Sequence, residues 1–138
     1  MPEKILHISG KRKKAIARTT IQSGKGVVRI NKIPLPVYGT DVSRMLVQEV
    51  LLLAKDHVDL SAINIDTTVK GGGVISQAEA AANSIARGLS QWTGGEALLS
   101  HYLAFNRTLI AGDSRLTEPH KPSQSSKGPR HKRQKSYR

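Results

Sequence analysis

The sequence predicts an α+β domain of about four strands with helices on one face, followed by a long extended C-terminal tail. Three observations carry that reading. Residues 15–22 and 63–70 alternate in the period-two pattern of a strand with one buried face. Residues 42–54 and 76–89 place apolar and Ala residues at helical spacing. The last 25 residues, 114–138, hold eight Lys or Arg, one acidic residue and one Leu, with no Ile, Val, Phe or Met. Such a segment buries too little apolar area to offset the entropy of ordering it, so it is expected to be an arm and not part of the core.

Residues 4–10 read as a short strand ended by Gly10, and Lys11, Arg12, Lys13 and Lys14 form a dense basic knot. In the second strand, 15–22, alternation puts Ala15, Ala17, Thr19 and Ile21 on one face and Ile16, Arg18, Thr20 and Gln22 on the other. Ser23 to Gly26 is a turn, and 27–30 is expected to return as a third strand in a hairpin with the second. Asn31 to Tyr38, with Pro34 and Pro36, reads as an extended connector. Thr40 or Asp41 caps a helix from Val42 to about Ala54. Its apolar stripe (42, 45, 46, 50, 53), widened by Val47, Leu51 and Leu52, predicts a largely buried helix.

In the strand 63–70, Ile63, Ile65, Thr67 and Val69 share the inner face. After Gly71, Gly72 and Gly73, the S-x-x-E spacing of Ser76 and Glu79 predicts a capping box. The helix it opens runs to about Leu89, with enough Ala for close packing on a sheet. Gly94-Gly95 separates it from a third helix, about Glu96 to Phe105, and Asn106 to Asp113 is an exit segment. The division is then a globular RNA-docking domain, 1–113, and a basic tail, 114–138.

Composition excludes several classes of function. Hydrophobic residues are 38% and aromatics 4% of the 138, which predicts a modest aliphatic core. There is no Cys, and the five His (7, 57, 101, 120, 131) include no pair at metal-ligand spacing, so no metal site and no cofactor are expected. No apolar run approaches the roughly 20 residues of a membrane span, and the N-terminus lacks a signal-peptide pattern. The expectation is a soluble intracellular protein without a membrane partner. Carboxylates are few and dispersed, and no nucleophile elbow is present. KGGGVIS lacks the Gly-Lys-Ser/Thr of a nucleotide-binding loop, so neither an enzyme nor a small-molecule substrate is expected. The triple glycine reads as a tight strand-to-helix turn or as backbone that holds an RNA phosphate.

Net charge is +12 and unevenly spread. Residues 1–32 hold nine basic and one acidic residue, residues 33–113 five basic and eight acidic, and the tail again is strongly cationic. A solubilising tail is the plain alternative, but cationic ends around a slightly acidic middle suit a protein that grips a polyanion from both ends. The knot at Lys11–Lys14 with Arg18 is the candidate RNA-backbone site of the body. Tyr137 beside Arg138 adds a stackable ring at the tip of the arm.

Five stretches, in order and spanning nearly the whole chain, resemble the family of the ninth protein of the small ribosomal subunit. They are GKRKKAIART (10–19), VKGGG (69–73), SQAEAAANSIARGL (76–89), DSRLTEPHKP (113–122) and KRQKSYR (132–138). The ending Gln134-Lys135-Ser136-Tyr137-Arg138 is similar to the archaeal and eukaryotic-cytoplasmic form, where the bacterial form ends Gln-Phe-Ser-Lys-Arg. The resemblance implies a two-layer α/β sandwich like domain 2 of the fifth small-subunit protein, with a left-handed βαβ crossover. It implies a place in the subunit head, with ribosomal RNA, peptidyl-site tRNA and neighbouring ribosomal proteins as partners. On that footing the RNA-binding residues are Lys11, Arg12, Lys13, Lys14, Arg18, Lys70, Gly71, Gly72, Gly73, Arg115, Lys121, Lys127, Arg130, Lys132 and Arg133. Lys135, Ser136, Tyr137 and Arg138 are expected at the tRNA. Pro129 stands where relatives more often carry Ala, which stiffens the tail before Arg130. An RNA-binding or chaperone module outside the ribosome is the alternative reading of the same charges.

Overall fold

The computed structural model describes residues 3–117. Five strands form one mixed sheet: β1 (Ile5–Arg12), β2 (Ala15–Ser23), β3 (Val28–Ile30), β4 (Ile33–Pro34) and β5 (Ile63–Lys70). The helices are α1 (Asp41–Ala54), α2 (Val74–Thr93), α3 (Glu96–Phe105) and α4 (Thr108–Ala111). Strand order is β1-β2-β5-β3-β4, with β3 and β5 parallel and the other neighbours antiparallel.

The period-two reading of β2 and β5 holds position by position. Ala15, Ala17, Thr19 and Ile21 are buried, as are Ile63, Ile65, Thr67 and Val69. Leu6, Ile8 and Gly10 continue this inner face onto β1. The helix α2 lies across β1, β2 and β5, and α1 packs beside α2, giving one layer of helices on one layer of sheet. Small residues set the distance between the layers. A Cβ on Gly10 would stand 2.6 Å from the Ser84 backbone N and 2.7 Å from the Ala80 carbonyl, and one on Gly88 would meet Ile21 Cδ1 at 2.7 Å. Inside this contact Thr19 Oγ1 is hydrogen-bonded to Thr67 Oγ1 at 2.9 Å and to Ser84 Oγ at 2.6 Å, so the buried hydroxyls satisfy one another. From α3, the Tyr102 hydroxyl donates to the Val50 carbonyl of α1 at 2.9 Å, and burial raises its pKa.

Several sequence expectations are corrected. Gly10 does not end β1: the strand runs on to Arg12, and Lys13-Lys14 forms the hairpin turn, with Lys13 at φ 53°. Gly10 is there because α2 comes so close. The expected β2–β3 hairpin is absent, because β5 lies between them. An eight-residue ladder to β5 satisfies far more of β2's backbone than three-residue β3 could. The loop between β2 and β3 instead crosses the start of β5, where Asn64 Oδ1 accepts from the backbone N–H of Lys25 and Val27. The connector 31–38 contains β4 and one 3-10 turn, and 106–113 contains α4.

The capping box does not form either. The N-cap of α2 is Gly73, Ser76 lies inside the helix, and Glu79 is engaged elsewhere. The helix also runs past Leu89 to Thr93, where Gly94 at φ 64° stops it. Thr40 caps α1 by accepting from the Ser43 backbone N–H at 3.3 Å. The buried line of α1 is Ser43, Val47, Val50 and Ala54, so much of the predicted stripe faces outward and the helix is not largely buried.

Gly10→Ala is expected to lower stability by about 1–3 kcal/mol, the usual cost of overpacking, because its new Cβ meets the fixed backbone of α2. Urea unfolding with an unchanged slope checks it. An unchanged midpoint would mean that the helix can retreat from the sheet at little cost.

Candidate nucleic-acid interface

Among the described residues no element covers the face of the sheet away from the helices, and register places its side chains in rows. Lys11 pairs with Ile16 and Ile16 with Lys70; Ser9 pairs with Arg18 and Arg18 with Thr68; His7, Thr20, Asp66 and Arg29 form the next row. Lys11, Arg18, Arg29 and Lys70 are all exposed. Asp66 is the one carboxylate among the outward residues of β1, β2, β3 and β5. Lys11 and Lys70 stand two strands apart, about 10 Å at normal strand spacing. His7 Nδ1 and Thr20 Oγ1, hydrogen-bonded at 3.0 Å, continue the polar surface.

One end of this face is sharply cationic. Lys13 and Lys14 cap the β1–β2 hairpin. The triple glycine passes directly beside it: a Cβ on Gly71 would lie 2.6 Å from the Lys14 carbonyl, and one on Gly72 would lie 3.0 Å from Ala15 Cβ. Gly71 and Gly72 take φ of 77° and 70°, so conformation and contact both require glycine there. Gly73 meets neither constraint and serves as the N-cap of α2. The first turn of that helix has no side-chain cap and no acidic residue, so unpaired N–H groups and the positive end of the helix dipole open beside Lys14.

Arg12 departs from this cationic set. Two residues beyond Gly10, it lies on the helix side of β1 with its side chain 15% exposed. Its Nε donates to Glu79 Oε2 at 2.8 Å, its Nη1 donates to the Arg115 carbonyl at 3.2 Å, and its Nη2 lies 3.5 Å from Asp113 Oδ2. Asp113 in turn accepts from the Arg115 backbone N–H at 2.9 Å and from Arg115 Nη2 at 2.6 Å. These bonds from Arg115, side chain foremost, hold the Asp113 carboxyl well below the usual carboxylate range and raise the Arg115 guanidinium. Asp113 also bridges Arg12 in parallel, so the root of the arm runs in the direction of β1. Asn83 of α2 secures the preceding turn, its Nδ2 donating to the Thr108 and Leu109 carbonyls at 3.1 and 2.8 Å. Lys11, Lys13, Arg87, Asp113, Ser114 and Leu116 line one hollow.

The structure thus gathers Lys11, Lys13, Lys14, Gly71, Gly72, Gly73 and Arg115 at one end of the sheet, with Arg18 and Lys70 on the adjoining open face. Arg12 belongs to the same corner, but its charge is used internally. Lys121, Lys127, Arg130, Lys132, Arg133, Lys135, Ser136, Tyr137 and Arg138 lie outside the described residues. Sequence reasoning missed Arg29, although the alternation Val28-Arg29-Ile30 could have placed it outward. It also missed the latch joining Arg12, Glu79, Asp113 and Arg115, whose partners are too far apart in sequence to signal one another. Among the described residues no group of three or more His, Asp or Glu could hold a metal ion.

Residues 10–138 match the family model of ribosomal protein S9/S16. The chain is 47% identical over 135 residues to the small ribosomal subunit protein uS9 of Methanococcus maripaludis, covering 98% of this chain and 99% of that one. Its identity to the protein of the same name from Methanococcus vannielii is 46% over the same shares.

Arg12→Ala is expected to destabilise the domain by about 1–3 kcal/mol, the scale of hydrogen bonds to a charged group. It should also lower amide-exchange protection in Thr108–Gly112. The latch carries a pH signature. Because the folded Asp113 carboxyl sits below its unfolded value, its stabilisation is full above about pH 4 and is lost as pH falls below that range. The stability gap between the parent chain and Asp113→Asn should therefore shrink on acidification. A gap that grows toward low pH contradicts the latch.

Proposed function

This chain belongs to the ribosomal protein S9/S16 family, and on that premise we propose that it docks in the head of the small ribosomal subunit through the cationic end of its sheet. Lys11, Lys13, Lys14, Arg18 and Lys70 take phosphates of ribosomal RNA, joined by the glycine backbone at 71–73 and the N-terminus of α2. Arg12 holds the root of the arm and leaves the outer contacts to its neighbours. The arm's Lys121, Lys127, Arg130, Lys132 and Arg133 extend the phosphate contacts. Lys135, Ser136, Tyr137 and Arg138 reach the anticodon region of peptidyl-site tRNA. Backbone contacts read no base sequence, which suits a site that receives many different tRNAs.

The observation that carries this reading is the meeting of hairpin tip, open sheet face and arm root at one corner. Two cationic segments more than 90 residues apart in sequence thereby become one surface. The direct test is binding to subunit-head RNA across a salt series, comparing the full chain with one ending at Thr117, the last described residue, which keeps the latch. Both should select the same site. The full chain should show the steeper slope, by about 0.7–0.9 for each phosphate contact the arm adds. If the shorter chain binds RNA without site preference, the body does not choose the address and this reading fails.

Arg18→Ala should weaken RNA binding and flatten the salt slope by about one, with the thermal midpoint unchanged because Arg18 is exposed. Removal of Arg138 should weaken tRNA retention at the peptidyl site by about 1–3 kcal/mol while subunits still assemble. Equal tRNA affinity with and without Arg138 removes the tip from the mechanism.

A further inference from the structure

The outer side of α1 is apolar, and no other described residue covers it. Val42, Met45 and Leu52 are 55%, 63% and 70% exposed, and with Leu46, Leu51 and Leu60 they line an open trough of ≈670 Å³. Single exposed apolar residues are ordinary, but a contiguous row along one helix marks a contact surface. The trough continues past Lys55 and Leu60 into a second hollow lined by Asp56 and Asp59. Glu49 stands on its flank. Lys55 caps the C-terminus of α1 and offsets its dipole, so the acidic character of this end comes from Glu49, Asp56 and Asp59, which outnumber it. Residues 41–62 hold four acidic and two basic residues in a chain of net charge +12, and one of those bases, Arg44, is already paired with Asp41.

Charge and composition decide what fits. RNA is repelled by the acidic margin. The residues beyond Thr117 supply cations but no aliphatic side chain to fill the trough. A second copy meeting this face with its own would bring like net charge to it, four acidic against two basic residues on each side, which disfavours the pair. We propose that the trough is a docking surface for another protein of the small subunit. That partner lays apolar side chains along α1 and brings a Lys or Arg to the Asp56–Asp59 end. The proposal rests on the ribosomal placement argued above, and it assigns the two sides of the molecule different partners, RNA on the open sheet and protein on α1.

The test places a photo-reactive diazirine side chain at Leu52 of the full chain, in cells that assemble ribosomes, and identifies what it captures in purified small subunits. The expected result is a crosslink to another protein of the subunit, at a peptide where Lys or Arg adjoins apolar residues. With the probe moved to Val42, Met45→Glu with Leu52→Glu should cut the yield of that crosslink about tenfold, as loss of a contact centre does. Affinity for head RNA should be unchanged. If the chain enters subunits but links to RNA, to a second copy, to its own tail or to nothing, the docking surface is overturned and the ribosomal placement stands. If it does not enter subunits at all, both fall.

Discussion

The contact between α2 and the strands β1 and β2 is the constraint on which the rest of this molecule depends. It is made at backbone distance because Gly10 and Gly88 have no side chain to hold the layers apart, and because Ala80, Ala81 and Ser84 are small. Close approach forfeits the apolar area that larger residues would bury. The Thr19–Thr67–Ser84 hydroxyl set compensates by linking both strands and the helix through buried hydrogen bonds. Once α2 is seated, Glu79 stands within reach of Arg12, and Asn83 within reach of the chain leaving α4. The corner that holds Asp113 and Arg115 is therefore a product of core packing, although its side chains are polar.

The same seating separates the two faces of the sheet. One receives every large apolar side chain of β2 and β5 except Ile16. The other keeps Lys11, Arg18, Arg29 and Lys70 in solvent with a single carboxylate. A one-sided sheet is usual for antiparallel strands, and here the free side supplies the spacing of the cations. Charge is held at register positions on a rigid ladder, so the spacing of the cations is set in advance.

Much of this was legible in the sequence. Period-two alternation placed the inner residues of β2 and β5 correctly, because a half-buried strand must sort its side chains by solvent. The cationic ends were legible as composition. Strand pairing was not, since proximity along the chain favours a β2–β3 hairpin and only the length of β5 shows the better partner. Gly10 looked like a stop because its reason for being glycine lies more than seventy positions away in α2. The side of Arg12 was hidden by the same error: with β1 ended at Gly10 it had no parity, whereas a strand continued through it puts Arg12 on the side of Leu6 and Ile8. The stripe on α1 misled in the opposite sense. Apolar spacing marks a face that avoids water, and the buried line of Ser43, Val47, Val50 and Ala54 used only part of it.

The acidic margin of α1 and the cationic open face of the sheet lie in opposite layers of the domain. Separated charge of this kind gives the folded body a directional field as well as a net charge. In a crowded assembly reaction, a uniformly basic protein would be drawn to any RNA surface in any attitude and would then have to turn or dissociate. Here one layer attracts a polyanion and the other repels it, so the field favours one attitude over the rest. The carboxylates of α1 thus give the field of this chain a direction that its net charge alone would not.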